Sequence, residues 1–67
     1  MTLEQKIYEK QLAVDHMRAM IEENHRKIAE GDDVYGRQRI IPILEQQIVD
    51  GEAEIVSMKA ELEAQNK

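Results

Sequence analysis

The stretch Gly31-Asp32-Asp33-Val34-Tyr35-Gly36-Arg37, which runs on to Pro42, decides how this chain folds. It is the only place where turn-forming residues cluster, because glycine, aspartate and proline are poor in helix interiors and favoured in turns. The segments on either side of it have the periodicity of amphipathic helices. The sequence therefore predicts an all-α protein: one domain over residues 1–67, folded as an antiparallel two-helix hairpin that resembles a coiled coil.

The first predicted helix covers about residues 2–30. Thr2 and Gln5 have the spacing of a capping box at its start, and Gly31 suits the position just after its end. Apolar residues recur between these limits in steps of three, four or seven, as in a heptad repeat: Leu3, Ile7, Val14, Met17, Ile21 and Ile28. Polar residues occupy the other two sites of this stripe. We expect Lys10 to extend its stem towards solvent, and Asn24 either to be buried and fix the register or to be partly exposed.

The second predicted helix repeats the pattern with Ile41, Leu44, Ile48, Ile55, Met58 and Leu62. Glycine takes one site of this stripe, at Gly51, where it costs a helix about 1 kcal/mol relative to alanine. Either close helix packing explains it or it is a tolerated weak point. A tight turn between the helices sets Gly51 roughly opposite Val14, whereas a long turn sets it roughly opposite Met17.

The start of the second helix has two interpretations. A start at Asp33, a good N-cap, gives a tight turn but places Pro42 inside the helix, where proline costs about 3 kcal/mol. A start near Gln38 brings Pro42 close to the first turn, where its missing N–H matters less. The larger penalty favours the second interpretation, so the turn is predicted over about residues 31–37 and the second helix over about 38–65.

The charge of the chain restricts its partners. Fourteen acidic and nine basic residues give a net charge of −5, and residues 41–67 hold six acids against Lys59 and Lys67. Such a surface disfavours direct binding of nucleic acid. No apolar run is long enough to span a membrane and no secretion signal is visible. The absence of cysteine removes disulfides and thiolate metal sites. We expect a cytoplasmic protein.

Apolar residues also lie outside the heptad stripes, and a hairpin that packs only through those stripes leaves them in water. Contiguous exposed apolar surface usually marks an interface. We therefore expect the hairpin to dimerise into a four-helix bundle or to dock on a larger protein. Tyr35 is expected to cover the end of the hairpin rather than to serve as an exposed anchor. The candidate interaction residues are Leu12, Met20, Tyr35, Arg37, Arg39, Ile43, Val49 and Val56.

Residues with catalytic or metal-binding chemistry are few. Glu22 and His25 have the Glu-x-x-His spacing of di-iron bundles, but both fall outside the stripe, so solvated helix surface is the favoured interpretation and a metal-binding bundle the alternative. Asp15 and His16 lack a pocket that would make them an acid–base pair. No phosphate-binding loop or nucleophile motif is present. We expect no enzyme activity, no cofactor and no small-molecule substrate.

These observations predict a class of function. The favoured hypothesis is a small non-enzymatic interaction module, an adaptor or inhibitor that binds itself or a larger protein through helical packing surfaces. Its size and composition suit a regulator of viral or mobile-element origin. A second hypothesis is an acidic decoy that occupies the nucleic-acid-binding surface of a target protein through exposed carboxylates of the second helix.

Overall fold

A computed structural model describes residues 1–66 of the chain. Helix α1 spans Leu3–Ala29 and helix α2 spans Val34–Gln65, and the two pack side by side. The molecule is a rod of 53 × 15 × 15 Å. The predicted all-α helical hairpin is confirmed.

Both ends of α1 are closed by local hydrogen bonds. At its start the Thr2 hydroxyl accepts from the Gln5 N–H (3.1 Å) and the Gln5 side chain accepts from the Thr2 N–H (2.9 Å), which is the predicted capping box. At its end Gly31 adopts a φ of 79°, and its N–H donates to the Ile28 carbonyl at 2.9 Å. The Asp32 N–H donates to the Lys27 carbonyl at 2.9 Å. This pair of bonds is a Schellman motif, which turns the chain sharply at the end of α1.

The start of α2 corrects the prediction from sequence. The helix begins at Val34 rather than near Gln38, so the turn occupies only residues 30–33. Asp33 precedes the helix in the left-handed region, with a φ of 47°, and its carboxylate lies over Gly36. A Cβ atom at Gly36 would come within 2.7 Å of the Asp33 carboxylate, so the absence of a side chain there allows this arrangement.

Packing explains why the tight turn is adopted despite Pro42. A helix that begins at Val34 keeps its residues in phase with the apolar stripe, which half-buries Val34 and leaves Ile41 only 8% exposed. Pro42 is exposed, and so is Gln38, whose carbonyl loses its helical donor because proline has no N–H. Water can therefore hydrogen-bond that carbonyl. The cost of proline is reduced, while the gain in apolar burial is kept.

The core lies along one contact line between the helices, which we call the inner seam. Its residues are Ile7, Val14, Met17 and Ile21 of α1 and Ile41, Leu44, Ile48, Gly51, Ile55 and Met58 of α2. Val14 is fully buried, and a Cβ atom at Gly51 would lie 2.8 Å from its Cγ2 atom. Gly51 thus allows the helices to approach closely. Its position opposite Val14 is the one that the tight turn predicts.

Ion pairs connect the helices on both sides of the inner seam. The Lys10 ammonium lies 2.8 Å from the Glu54 carboxylate, and its Cδ atom would lie 3.8 Å from a Cβ atom at Gly51, so the stem packs beside the seam. The head of this lysine is therefore held in an ion pair, whereas the sequence predicts that it extends towards solvent. Arg18 pairs with Glu52 on the other side. Because all four side chains are a third or more exposed, each pair stabilises the hairpin by at most about 1 kcal/mol.

Candidate interaction surfaces

A polar network occupies the seam at the turn end of the rod. Asn24 is only 8% exposed; its Nδ2 donates to the Met20 carbonyl at 2.8 Å, and its Oδ1 accepts from Arg37 Nη1 at 3.0 Å. Arg37 also donates from Nε to the Asp32 carbonyl at 2.9 Å and from Nη2 to the Asp32 carboxylate at 3.2 Å. Of the two interpretations of Asn24, the buried one is therefore observed.

The network ties the turn to both helices. One guanidinium group joins the end of the Schellman turn at Asp32 to the buried amide of α1, so Arg37 spends most of its donors inside the hairpin. Its predicted role in partner binding stays a prediction. The Arg37 side chain is only 24% exposed to solvent.

A groove of about 450 Å³ lies beside this network, and we call it the turn-end groove. Met20 is 37% exposed and Ile40 is 44% exposed, so apolar side chains of both helices reach solvent here. Ile43, one turn further along α2, is 58% exposed. The lining residues are His16, Ala19, Met20, Glu23, Asn24, Arg37 and Ile40.

Ile40 is the large apolar member of this surface that is missing from the predicted interaction residues. It stands directly before Ile41, which the heptad assigns to the seam, so the pair reads as a single buried run. Two successive helical residues point about 100° apart, however, and both cannot face the same neighbour. That angle is the signal that identifies Ile40 as a surface residue.

Tyr35 is 75% exposed, which corrects the expectation that it covers the end of the hairpin. The Arg39 guanidinium lies 5.9 Å from the centre of its ring, within the range of a cation–π contact. These two predicted interaction residues therefore form one exposed pair near the turn.

The side of α2 that faces away from α1 carries a second apolar stripe, which we call the back of α2. Val49 is 60% exposed and Val56 is 67% exposed. The other members are exposed as well, and the stripe consists of Tyr35, Pro42, Val49, Ala53, Val56 and Ala60. The predicted residues thus fall into separate groups, with Met20 beside the turn-end groove and Val49 and Val56 on the back of α2. Leu12, 51% exposed, lies apart from them on α1.

Glu23 places a negatively charged carboxylate at the rim of the turn-end groove. Both its carboxylate oxygens accept from Arg26 Nη2 at 2.6 Å, and this hydrogen bond lowers the pKa of Glu23. The same hydrogen bond raises the pKa of Arg26. A fixed carboxylate therefore borders the apolar opening.

The proposed metal ligands Glu22 and His25 are both exposed. Within residues 1–66, no group of three or more His, Cys, Asp or Glu side chains is placed to hold one metal ion. A metal site built on Glu22 and His25 would need ligands from another molecule.

Comparison with protein-family models, with curated proteins and with solved structures found no match to this chain. Neither helix, over the described residues, has an apolar stretch of the length and hydropathy needed to cross a bilayer.

Proposed function

We propose that this protein is a non-enzymatic protein-interaction module, an adaptor or inhibitor that binds other helices through surfaces outside the inner seam. One observation carries this proposal: the hairpin exposes more large apolar side chains than it buries. Five hydrophobic residues form the buried core, whereas nine large ones among residues 1–66 are exposed, from Met20 at 37% to Tyr35 at 75%.

The distribution of these side chains supports binding more than their number does. Single apolar residues scattered over a surface need no explanation, but contiguous ones mark interfaces. Here Met20 and Ile40 open into one groove, and Val49 and Val56 repeat on one face of α2. Small scaffolds of this size also gain much of their stability from association.

The shape and chemistry of the turn-end groove suit an amphipathic helix. Grooves of this kind bind the apolar face of a partner helix and orient it with a few polar groups. Arg37 and Asn24 provide a polar floor that their mutual hydrogen bond holds in place, and Glu23 provides an acidic rim. The concave surfaces of the hairpin are open grooves, and His16 and His25 lie exposed, which favours binding over catalysis.

The proposal is tested with aspartate variants of exposed positions. Self-association is followed by sedimentation, and partners captured from cells are retested as purified proteins. Met20→Asp and Val49→Asp each place a charge on an apolar surface, while Gln38→Asp adds the same charge to an exposed polar site and serves as the control. We expect helix content to be unchanged in all three, and at least one of the two apolar variants to lose binding that the control keeps.

Two outcomes would count against this proposal. If the parent chain neither self-associates nor binds a purified partner, the apolar surfaces have no binding role. If a partner binds equally well to all variants but dissociates steeply with added salt, the carboxylates of α2 carry the interaction, as the acidic-decoy hypothesis requires.

A further inference from the structure

The back of α2 has the repeat of a second packing seam. Its residues lie seven apart from Tyr35 to Val49, and from Val49 to Ala60 they follow in steps of four, three and four, which is the spacing of the inner seam on the other side of the same helix. Over its second half valine and alanine alternate, from Val49 through Ala53 and Val56 to Ala60, and all four residues are exposed. A helix with two such seams is built to contact a helix on each side.

We propose that the back of α2 binds the back of α2 in a second copy of this chain, antiparallel, with Val49 opposite Ala60 and Ala53 opposite Val56. This inference rests on the proposed function and names the partner of one of its surfaces. The pairing is two-fold symmetric, so each contact occurs twice.

Side-chain size supports this alignment. In the four central layers a valine of one copy meets an alanine of the other, and alternating large and small residues allow helix surfaces to interdigitate without voids. In the layer at each end of this apolar centre, Gln46 of one copy meets Glu63 of the other, and both side chains are exposed in the single hairpin. The layers lie within a shared stretch from residue 43 to residue 66, which is about 36 Å of helix at 1.5 Å per residue.

Charge gives an independent argument for the same alignment. Lys59 is exposed and makes no ion pair with any residue from 1 to 66. In the antiparallel pair it flanks the new seam beside Glu52 of the second copy, which Arg18 already orients from its own hairpin. Asp50 comes beside Ser57, so neither flank places like charges together.

Other alignments bring like charges together. Moving the copies by one heptad, with Val49 opposite Ala53, puts Asp50 beside its own equivalent and does the same to Glu52. A parallel pair in register puts Glu45 beside Asp50 on both flanks. Like charges so placed suppress an alignment, which leaves the antiparallel Val49–Ala60 register as the favourable one.

The hairpin exposes more surface than a globular chain of its mass. The chain exposes 5030 Å², whereas a folded monomer of its 7.8 kDa mass exposes about 4400 Å². The surplus of about 600 Å² is somewhat smaller than the roughly 800 Å² that each partner buries in an interface of standard size. The turn-end groove lies outside the shared stretch and stays open in both copies.

The test exchanges the charges of Lys59 and Glu52, which flank the proposed seam between the two copies. Lys59→Glu gives a chain with glutamate at both flank positions, and Glu52→Lys gives a chain with lysine at both. Each variant alone faces like charges twice, so we expect its self-association to be about tenfold weaker or more than that of the parent. An equimolar mixture restores both opposite-charge contacts and is expected to form heterodimers with affinity near the parent's. Sedimentation equilibrium with one variant carrying a fluorescent label measures all four cases.

Circular dichroism of each variant controls for folding, and Val49→Asp is expected to remain helical and monomeric. If the parent is monomeric up to millimolar concentration, the inference is wrong, while the proposed function still stands if a purified partner binds at Met20. If the parent dimerises but the charge variants dimerise equally well, or their mixture forms no heterodimer, the copies meet elsewhere and the inference is again wrong.

Discussion

The two faces of α2 have the same heptad spacing and opposite surroundings. On the inner seam Ile41, Leu44, Ile48 and Ile55 are between 5% and 9% exposed, whereas on the back Val49 and Val56 are 60% and 67% exposed. The inner face has large aliphatic side chains and one glycine, which leaves space for Val14, whereas the back has only valine and alanine between Val49 and Ala60. Heptad spacing alone predicts that a helix surface can pack against another helix. Side-chain size indicates which of the two surfaces packs within the hairpin.

The largest expected difference between the two faces is in the effect of aspartate on folding, at the adjacent residues Ile48 and Val49. Ile48→Asp places a carboxylate in a site that is 9% exposed, a burial that costs several kcal/mol and exceeds what a hairpin of this size can lose. We expect this variant to be unfolded by circular dichroism. Val49→Asp, at a site that is 60% exposed, is expected to keep its helix content. Equal helix loss in both variants would show that the back is also required for folding.

Helix-breaking residues on the two faces should respond oppositely to alanine. Pro42 lies exposed on the back, where alanine restores a backbone N–H for the Gln38 carbonyl and meets nothing. We expect Pro42→Ala to raise the free energy of unfolding by about 2 kcal/mol, after allowance for the more flexible unfolded chain. Urea denaturation at a concentration where the chain is monomeric measures this. A loss of stability would mean that Pro42 makes a contact that its exposure does not reveal.

Alanine at Gly51 should instead destabilise the hairpin. The new Cβ atom would lie 2.8 Å from Val14 Cγ2, so the helices must separate. We expect a net loss of about 1–2 kcal/mol, because overpacking outweighs the gain in helix propensity. Combining Gly51→Ala with Val14→Ala relieves the clash, and the double-mutant cycle should show a favourable coupling of about 1 kcal/mol or more. Strict additivity would contradict the close approach.

Substitutions in the Asn24–Arg37 network, at the polar end of the inner seam, should destabilise the hairpin less than substitutions in its apolar middle. The effects of the two substitutions should still be coupled. Asn24→Ala removes the acceptor of Arg37 Nη1, and we expect a loss of about 1–2 kcal/mol in urea denaturation. Arg37→Ala should cost a similar amount, since it also frees Asp32. Removing both should cost less than the sum of the two single losses, because they share one network. Additive losses would show that the two residues act separately.

The smallest expected effect concerns the rim of the turn-end groove. Because Arg26 lowers the pKa of Glu23, this carboxyl stabilises the fold above its unfolded pKa, and the contribution disappears as pH falls through the lower folded value. An NMR titration should place the Glu23 midpoint below that of an ordinary glutamate, and Arg26→Ala should return it to the ordinary range. An unchanged midpoint in Arg26→Ala would mean that another group holds the Glu23 charge.

The features predicted correctly from sequence are those set by local chemistry. The capping box at Thr2 and Gln5, the end of α1 at Gly31 and the apolar stripes all follow from residue types at fixed spacing. The start of α2 was predicted wrongly because helix propensity was weighed without knowing that Pro42 faces solvent. The exposure of that side depends on which face α1 covers, and this is a tertiary property.

Of the candidate surfaces, one could be identified from local sequence and the other could not. Val49 and Val56 could be identified from sequence because they interrupt the expected polar face of a helix. The turn-end groove could not, since it is formed by residues of both helices in a register that the turn determines. The Asn24–Arg37 contact depends on the same register: the longer turn would have moved Arg37 out of α2 altogether.

The short turn also has a consequence for the speed of folding. Residues 30–33 are all that separates the helices, so the loop that must close before they meet is nearly as small as a helical hairpin allows. The entropy of loop closure rises with the logarithm of loop length, and folding rates fall as contacts become more distant along the chain. The contact between Asn24 and Arg37, next to the turn, spans 13 residues, whereas that between Arg18 and Glu52 spans 34. The hairpin should therefore nucleate at its turn and close towards the other end, with rates typical of the fastest helical proteins.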